Sequence, residues 1–96
     1  MPVAPLQTVA VASTSYTTPP SVAFAFEPDS ILCVNRSAAA ADIVYISFDG
    51  VTDHALLVPG TVPSLEFQAK RPNVWLRRDA GAANPTNVSV MANTVR

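Results

Sequence analysis

Along most of this chain apolar and polar positions alternate with a period of two, and the clearest example is the stretch from Ile43 to Val58. In its first arm Val44, Ile46 and Phe48 fall on one face and Ile43, Tyr45 and Ser47 on the other. That is the spacing of a pleated strand, and the arm is rich in β-branched and aromatic residues. A second arm resumes at Ala55 and ends at Pro59-Gly60, so the pattern predicts a β-hairpin with Val44, Ile46, Phe48 and Leu57 anchoring a core. Asp49-Gly50 opens the connection. The segment then continues through Val51-Thr52-Asp53-His54, which predicts a loop longer than a two-residue type I′ turn.

The same period marks the other elements. Ser21 to Phe26 sets Val22, Phe24 and Phe26 on one face, Glu27 to Ser30 has turn composition, and Ile31 to Val34 is a continuous apolar run that suits a strand covered on both sides. Leu65 to Lys70 alternates most cleanly, with Leu65, Phe67 and Ala69 opposite Glu66, Gln68 and Lys70. Val74 to Arg78 carries Trp75, which reads as a core aromatic, and Asn87 to Ala92 closes the chain with Val88 and Val90 inward. The alanine run in Asn35 to Asp42 is too short to nucleate a helix and reads as a loop, at most with one helical turn. Asp79 to Thr86 is a second loop.

About seven or eight short strands at intervals of about 8 to 12 residues, with no helical periodicity, predict an all-β fold: a small antiparallel sandwich or barrel of jelly-roll or immunoglobulin-like type. Residues 21–96 form the sandwich domain. Residues 1–20 are set apart as an extended N-terminal arm, because Pro2 and Pro5 fix φ and remove donors, and Thr17 to Pro20 punctuates the chain. Gln7 to Tyr16 alternates only loosely, and Val9 and Val11 suit either an edge strand or an arm laid on a neighbouring molecule. The arm is the preferred reading.

Length and composition narrow the rest. Ninety-six residues support one core. Hydrophobic residues make up 49% of the chain and charged ones 14%, so apolar surface is left over for contact with other subunits. A net charge of −1 gives no general reason to bind nucleic acid or an anionic membrane, and so weak a charge favours association. The single cysteine, Cys33, rules out an intrachain disulfide and a four-cysteine metal site. The N-terminus lacks signal-peptide character and no window approaches a membrane span, so a soluble product of the cytoplasm is expected.

Two clusters bear on chemistry. Asp49, Asp53 and His54 share the hairpin loop and are the raw material of acid-base catalysis or metal binding, yet one histidine and two carboxylates fall short of a transition-metal or calcium site. The preferred reading is a polar loop that serves as a contact surface, with no catalytic residue, cofactor or metal. Lys70, Arg71, Arg77 and Arg78 form the basic cluster. With Trp75 the sole nearby aromatic they make a poor nucleic-acid platform, and a solvated edge or a subunit contact explains them better. Pro2, Pro5, Val9 and Val11 join them as candidate contact residues through the arm. Asn35-Arg36-Ser37 and Asn87-Val88-Ser89 match the glycosylation pattern, which without a secretory signal carries little weight.

The succession SFDG, TDHALLVPG, VWLRRDAGAA and NVSVMA, within Ile31 to Ala92, resembles small β-rich structural proteins encoded in the virion-assembly genes of tailed bacteriophages. The resemblance implies a non-enzymatic virion protein made in the host cytoplasm, without cofactors. It implies major capsid or other virion proteins as partners, and homo-oligomeric arrangement on the particle. Capsid decoration or cement is the leading expectation. A neck, tail or fibre component with a glycan-binding surface, built from the loops Asp49 to His54 and Asp79 to Thr86 with Trp75, is the alternative.

Overall fold

The structure, a computed structural model, describes residues 3–68 and 72–93. The hairpin forms as its pattern predicts: Val44, Tyr45 and Ile46 pair with Leu57, Leu56 and Ala55, and Val44, Ile46 and Leu57 are fully buried. Among the described residues eight strands follow one another: β1 (Val3–Val11), β2 (Val22–Ala23), β3 (Ser30–Asn35), β4 (Val44–Ser47), β5 (Ala55–Leu57), β6 (Ser64–Phe67), β7 (Asn73–Arg78) and β8 (Thr86–Asn93). They make two antiparallel four-stranded sheets, ordered β1-β8-β3-β6 and β2-β7-β4-β5, with no helix among the described residues. Among these residues no ladder joins one sheet to the other, so the architecture is a sandwich and not a closed barrel.

The pairings β1 with β8, β2 with β7, β3 with β6 and β4 with β5 are those of one long antiparallel ribbon folded back on itself. Rolling that ribbon brings β8 beside β3 and β7 beside β4. The connectivity is therefore that of a jelly roll. Between the sheets lie Val11, Ile31, Cys33, Val88, Val90 and Ala92 from the first, and Val22, Val44, Ile46, Leu57, Val74 and Leu76 from the second. Each fully buried aliphatic side chain of this kind contributes roughly 1.5–3 kcal/mol by leaving water.

Four expectations change. Val3–Val11 is an edge strand of the first sheet and not an arm, because β8 offers a partner of matching length and Val11, opposite Thr86 and 4% exposed, joins the buried core. The ladder shifts register between Ala4 and Gln7, around Pro5, which has no amide hydrogen to donate. Ser21 to Phe26 is strand only at Val22–Ala23, although Val22 and Phe24 do face inward; beyond Ala23 the backbone link passes to a single bond from Phe24 N to Pro72 O, 2.7 Å.

Ile31 to Val34 alternates instead of being covered on both sides. Ile31 and Cys33 point into the core, whereas Leu32 and Val34 lie half-buried on the outer face of the first sheet. Trp75 is not a core residue, since the inward positions of β7 are Val74 and Leu76. Its half-buried indole lies on the outer face of the second sheet, against Gly50. The alanine run is a loop that ends in a turn closed by Asp42 N donating to Ala39 O, 3.0 Å.

Candidate functional site

The hairpin tip is built from Ser47 upward. Ser47 ends β4 fully buried, and its Oγ accepts the amides of Gly50 (2.9 Å) and Asp49 (3.3 Å) while its hydroxyl donates to Asp49 Oδ1 (2.9 Å). Asp49 Oδ1 also accepts the amides of Val51 and Thr52, each at 2.8 Å. These amides, Thr52 first and then Val51, together with the Ser47 hydroxyl, hold the Asp49 carboxyl well below the usual carboxylate range. Asp49 is thus the internal cap of its own loop. Gly50 permits the bend with φ +80°, and a Cβ there would stand 3.0 Å from the Trp75 indole.

His54 returns the chain to β5. Its amide donates to Ile46 O (2.8 Å), its Nδ1 accepts the amide of Phe48 (3.1 Å), and its ring lies 5.5 Å from that of Phe48. With Nδ1 an acceptor, the neutral imidazole carries its proton on Nε2. Phe48 in turn meets Phe67 edge-on at 5.2 Å, tying the hairpin to β6.

Asp53 points the other way, to Arg77. The pair is bidentate, Nε to Oδ1 at 3.0 Å and Nη2 to Oδ2 at 2.7 Å, and the Tyr16 hydroxyl donates to the same Oδ1. Tyr45 lies directly across the ladder from Arg77, and its ring centroid is 4.0 Å from the guanidinium; the Tyr16 ring is at 5.6 Å. Arg77 first, and then the Tyr16 hydroxyl, lowers the Asp53 pKa. Burial, reinforced by the Asp53 carboxylate, pushes that of Tyr16 up. Tyr45 donates to Asp79 Oδ1 at 3.1 Å, and that bond leads the causes raising its pKa.

Arg78 lies one residue on, with Leu76 and Val74 on the inward face of β7, at the end of the sandwich. Its Nε donates to Ala12 O (2.6 Å), its Nη1 to Ala82 O (3.2 Å), and its amide to Ser13 O (2.9 Å). Arg77 Nη1 donates to Thr14 O at 3.3 Å. The two arginines therefore clasp residues 12–16, the strap that carries the chain from the first sheet to the second.

The candidate residues do not converge. Asp49 caps its own loop, Asp53 is paired with Arg77, and His54 braces Phe48. Both aspartates are shifted away from the near-neutral pKa that a general base needs. Arg77 and Arg78, placed by sequence among the subunit contacts, direct their hydrogen bonds to Asp53 and to the backbone of this chain's own strap and loops. Val11 is likewise committed to the core and Val9 packs against it. Pro5 is placed as part of the β1 backbone, while Pro2, Lys70 and Arg71 lie outside the described residues. Among the described residues no three His, Cys, Asp or Glu side chains gather as metal ligands, and no helix is long and apolar enough to cross a membrane.

Sequence reasoning missed Tyr16, Tyr45 and a second network around Asp42. There Asn35 Nδ2 donates to Asp42 O (2.7 Å), the Ser37 hydroxyl donates to Asp42 Oδ2, and Ala83 N donates to Asp42 Oδ1 (2.9 Å). The Ser37 hydroxyl and then the Ala83 amide lower the Asp42 pKa. A signal was present, since Asn35 and Asp42 bracket the alanine loop with side chains suited to capping turns. No protein-family model matches this chain, and no curated protein sequence matches it. What the fold defines is a class, the jelly-roll sandwich, which serves many unrelated functions.

Proposed function

We propose that this chain is a non-enzymatic virion structural protein, a capsid decoration or cement subunit that binds assembled shell proteins and reinforces their junctions. The observation that carries the reading is the intramolecular use of these side chains: Asp49, Asp53, His54, Arg77 and Arg78 each take part in holding loops and strap to the sandwich. Among the described residues the unpaired edge of β1 and the outer sheet faces are open to contact, the resource of a module that works by being bound. The jelly-roll connectivity, the low charge and the resemblance of the Ile31 to Ala92 stretch to phage virion proteins point the same way. Repetition over a symmetric shell lets individually weak contacts add up.

The test is co-sedimentation of the purified protein with assembled phage shells and, separately, with unassembled shell protein, followed by electron-microscopic localisation on the particle. Binding to assembled shells with density over subunit junctions is expected. Failure to bind either form refutes the proposal, and density confined to the neck, tail or fibres replaces it with that role.

A further inference from the structure

Among the described residues four strands each leave one edge unpaired: β1 and β6 in the first sheet, β2 and β5 in the second. Such an edge is a row of free N–H and C=O groups, and proteins guard it by shortness, charge, proline or a bulge. Three of the four are guarded. β2 has two residues and β5 three, while β6 follows Pro63 and carries the exposed Glu66. β1 is nine residues long and contains no Asp, Glu, Lys or Arg. Pro5 and the register shift interrupt only its first half. From Gln7 to Val11 the ladder with β8 is regular, and Gln7, Thr8 and Ala10 are exposed. Among the described residues β8 is the sole ladder partner of this stretch, and no other backbone hydrogen bond involves it.

A second feature adjoins this edge. A cavity of about 260 Å³ is lined by the apolar Val9, Val11 and Leu76 and by the hydroxyl-bearing Ser13, Thr17 and Ser21. Its described lining includes no residue of β8, so it opens on the side of β1 away from its ladder partner. An unguarded strand edge beside a partly apolar cavity has the parts of a β-augmentation site, in which main-chain bonds hold an added strand and a pocket takes its alternate side chains.

We infer that this edge takes the β1 strand of a second copy of the chain, the two strands running antiparallel about a two-fold axis through Val9. Three features favour a second copy as occupant. In this register Thr8 of one copy faces Ala10 of the other and Gln7 faces Val11, so no charge meets a like charge, as a symmetric pair of charged strands would require. The two-residue period turns Val9 and Val11 of the incoming strand to the same face as their counterparts, toward the cavity. A net charge of −1 per chain leaves little long-range repulsion between copies. A ladder this short buries less than the roughly 1,000 Å² of a stable standing interface, so the association is weak and reversible in isolation.

Sedimentation velocity of the full chain over a range of concentrations tests the inference. The average mass is expected to rise toward twice that of the monomer, with amide exchange at Gln7 to Val11 slowing in parallel and that of β5 unchanged. Ala10→Lys sets two ammonium groups into each two-fold interface and is expected to weaken association about fivefold or more. Ala10 is exposed, so the unfolding midpoint of the monomer stays the same. Thr17→Arg obstructs the cavity without touching the β1 ladder and is expected to weaken association as well; it decides the matter should Ala10→Lys fail to fold. A monomeric mass at every concentration overturns the inference, and so does association that neither substitution affects. Either result is independent of whether the protein binds phage shells.

Discussion

Gly50 and Gly60 form a matched pair that separates backbone strain from side-chain crowding. Both adopt the left-handed region, with φ of +80° and +84°. A Cβ at Gly60 would meet nothing within 4 Å, whereas at Gly50 it would lie 3.0, 3.1 and 3.3 Å from Trp75 Cε2, Nε1 and Cδ2. Gly60→Ala therefore carries only the conformational cost, about 1–2 kcal/mol. Gly50→Ala carries the same cost and must also displace an indole seated between β7 and the loop, which adds about 1–3 kcal/mol if it behaves as ordinary overpacking. For a domain of this size each kcal/mol lowers Tm by about 4–8 °C. Urea and thermal unfolding followed by the fluorescence of Trp75, the single tryptophan, measures both substitutions, and Gly50→Ala should also shift the native emission. In a Trp75→Leu background, with unfolding followed by far-UV circular dichroism because the fluorophore is gone, most of the difference between the two glycine variants should disappear. Equal losses at Gly50 and Gly60, within about 0.5 kcal/mol, would refute the assigned role of the Trp75 contact, because backbone strain alone would then account for both.

Further expectations concern the core, the carboxylates and the thiol. Leu57→Ala removes a fully buried side chain from the core between the sheets and should cost about 2–5 kcal/mol in chemical denaturation, whereas Leu56→Ala, 43% exposed on the same strand, should change little. Asp42, Asp49 and Asp53 all titrate lower in the folded protein than in the unfolded chain. Their stabilisation is thus complete above the ordinary carboxylate pKa of about 4 and is lost as pH falls below it toward the folded values; Asp49→Asn, which keeps an acceptor but no charge, should flatten part of that acid limb in pH-dependent unfolding. Cys33 is fully buried and its thiol is pushed up to about 12 by desolvation, so a disulfide reagent at neutral pH should modify it only at the rate of unfolding, and prompt labelling of the folded protein would contradict its placement. Deleting residues 1–11 removes an edge strand and Val11 from the core, and should abolish cooperative unfolding; a truncated chain that still melts in one sharp transition would restore the reading of this segment as a dispensable arm.

The candidate site was legible as composition but not as geometry. Asp49, Asp53 and His54 sit close in sequence, and nothing in that spacing shows that they diverge. Asp49 turns back on amides two and three residues ahead, while Asp53 reaches an arginine on β7 and a tyrosine on the strap, 24 and 37 residues away. The basic pair at Arg77 and Arg78 read as surface because charge on a strand usually is. Only the rolling of the ribbon brings residues 12–16 across their path and turns them into a clasp.

Two-residue periodicity by itself determined that this chain is all-β, where its hairpin lies, and that Val44, Ile46, Leu57, Val88 and Val90 are core, because a strand's alternation is a local property of the backbone. Tertiary structure decided what depends on partners. β8 made a strand of the Pro-containing N-terminus, the jelly-roll crossing set Leu32 and Val34 outward, and the neighbouring loop drew Trp75 out of the core to cover Gly50. Strand pairing is non-local, joining Val3 to Asn93 across nearly the whole chain, and no window of sequence contains both halves of such a contact.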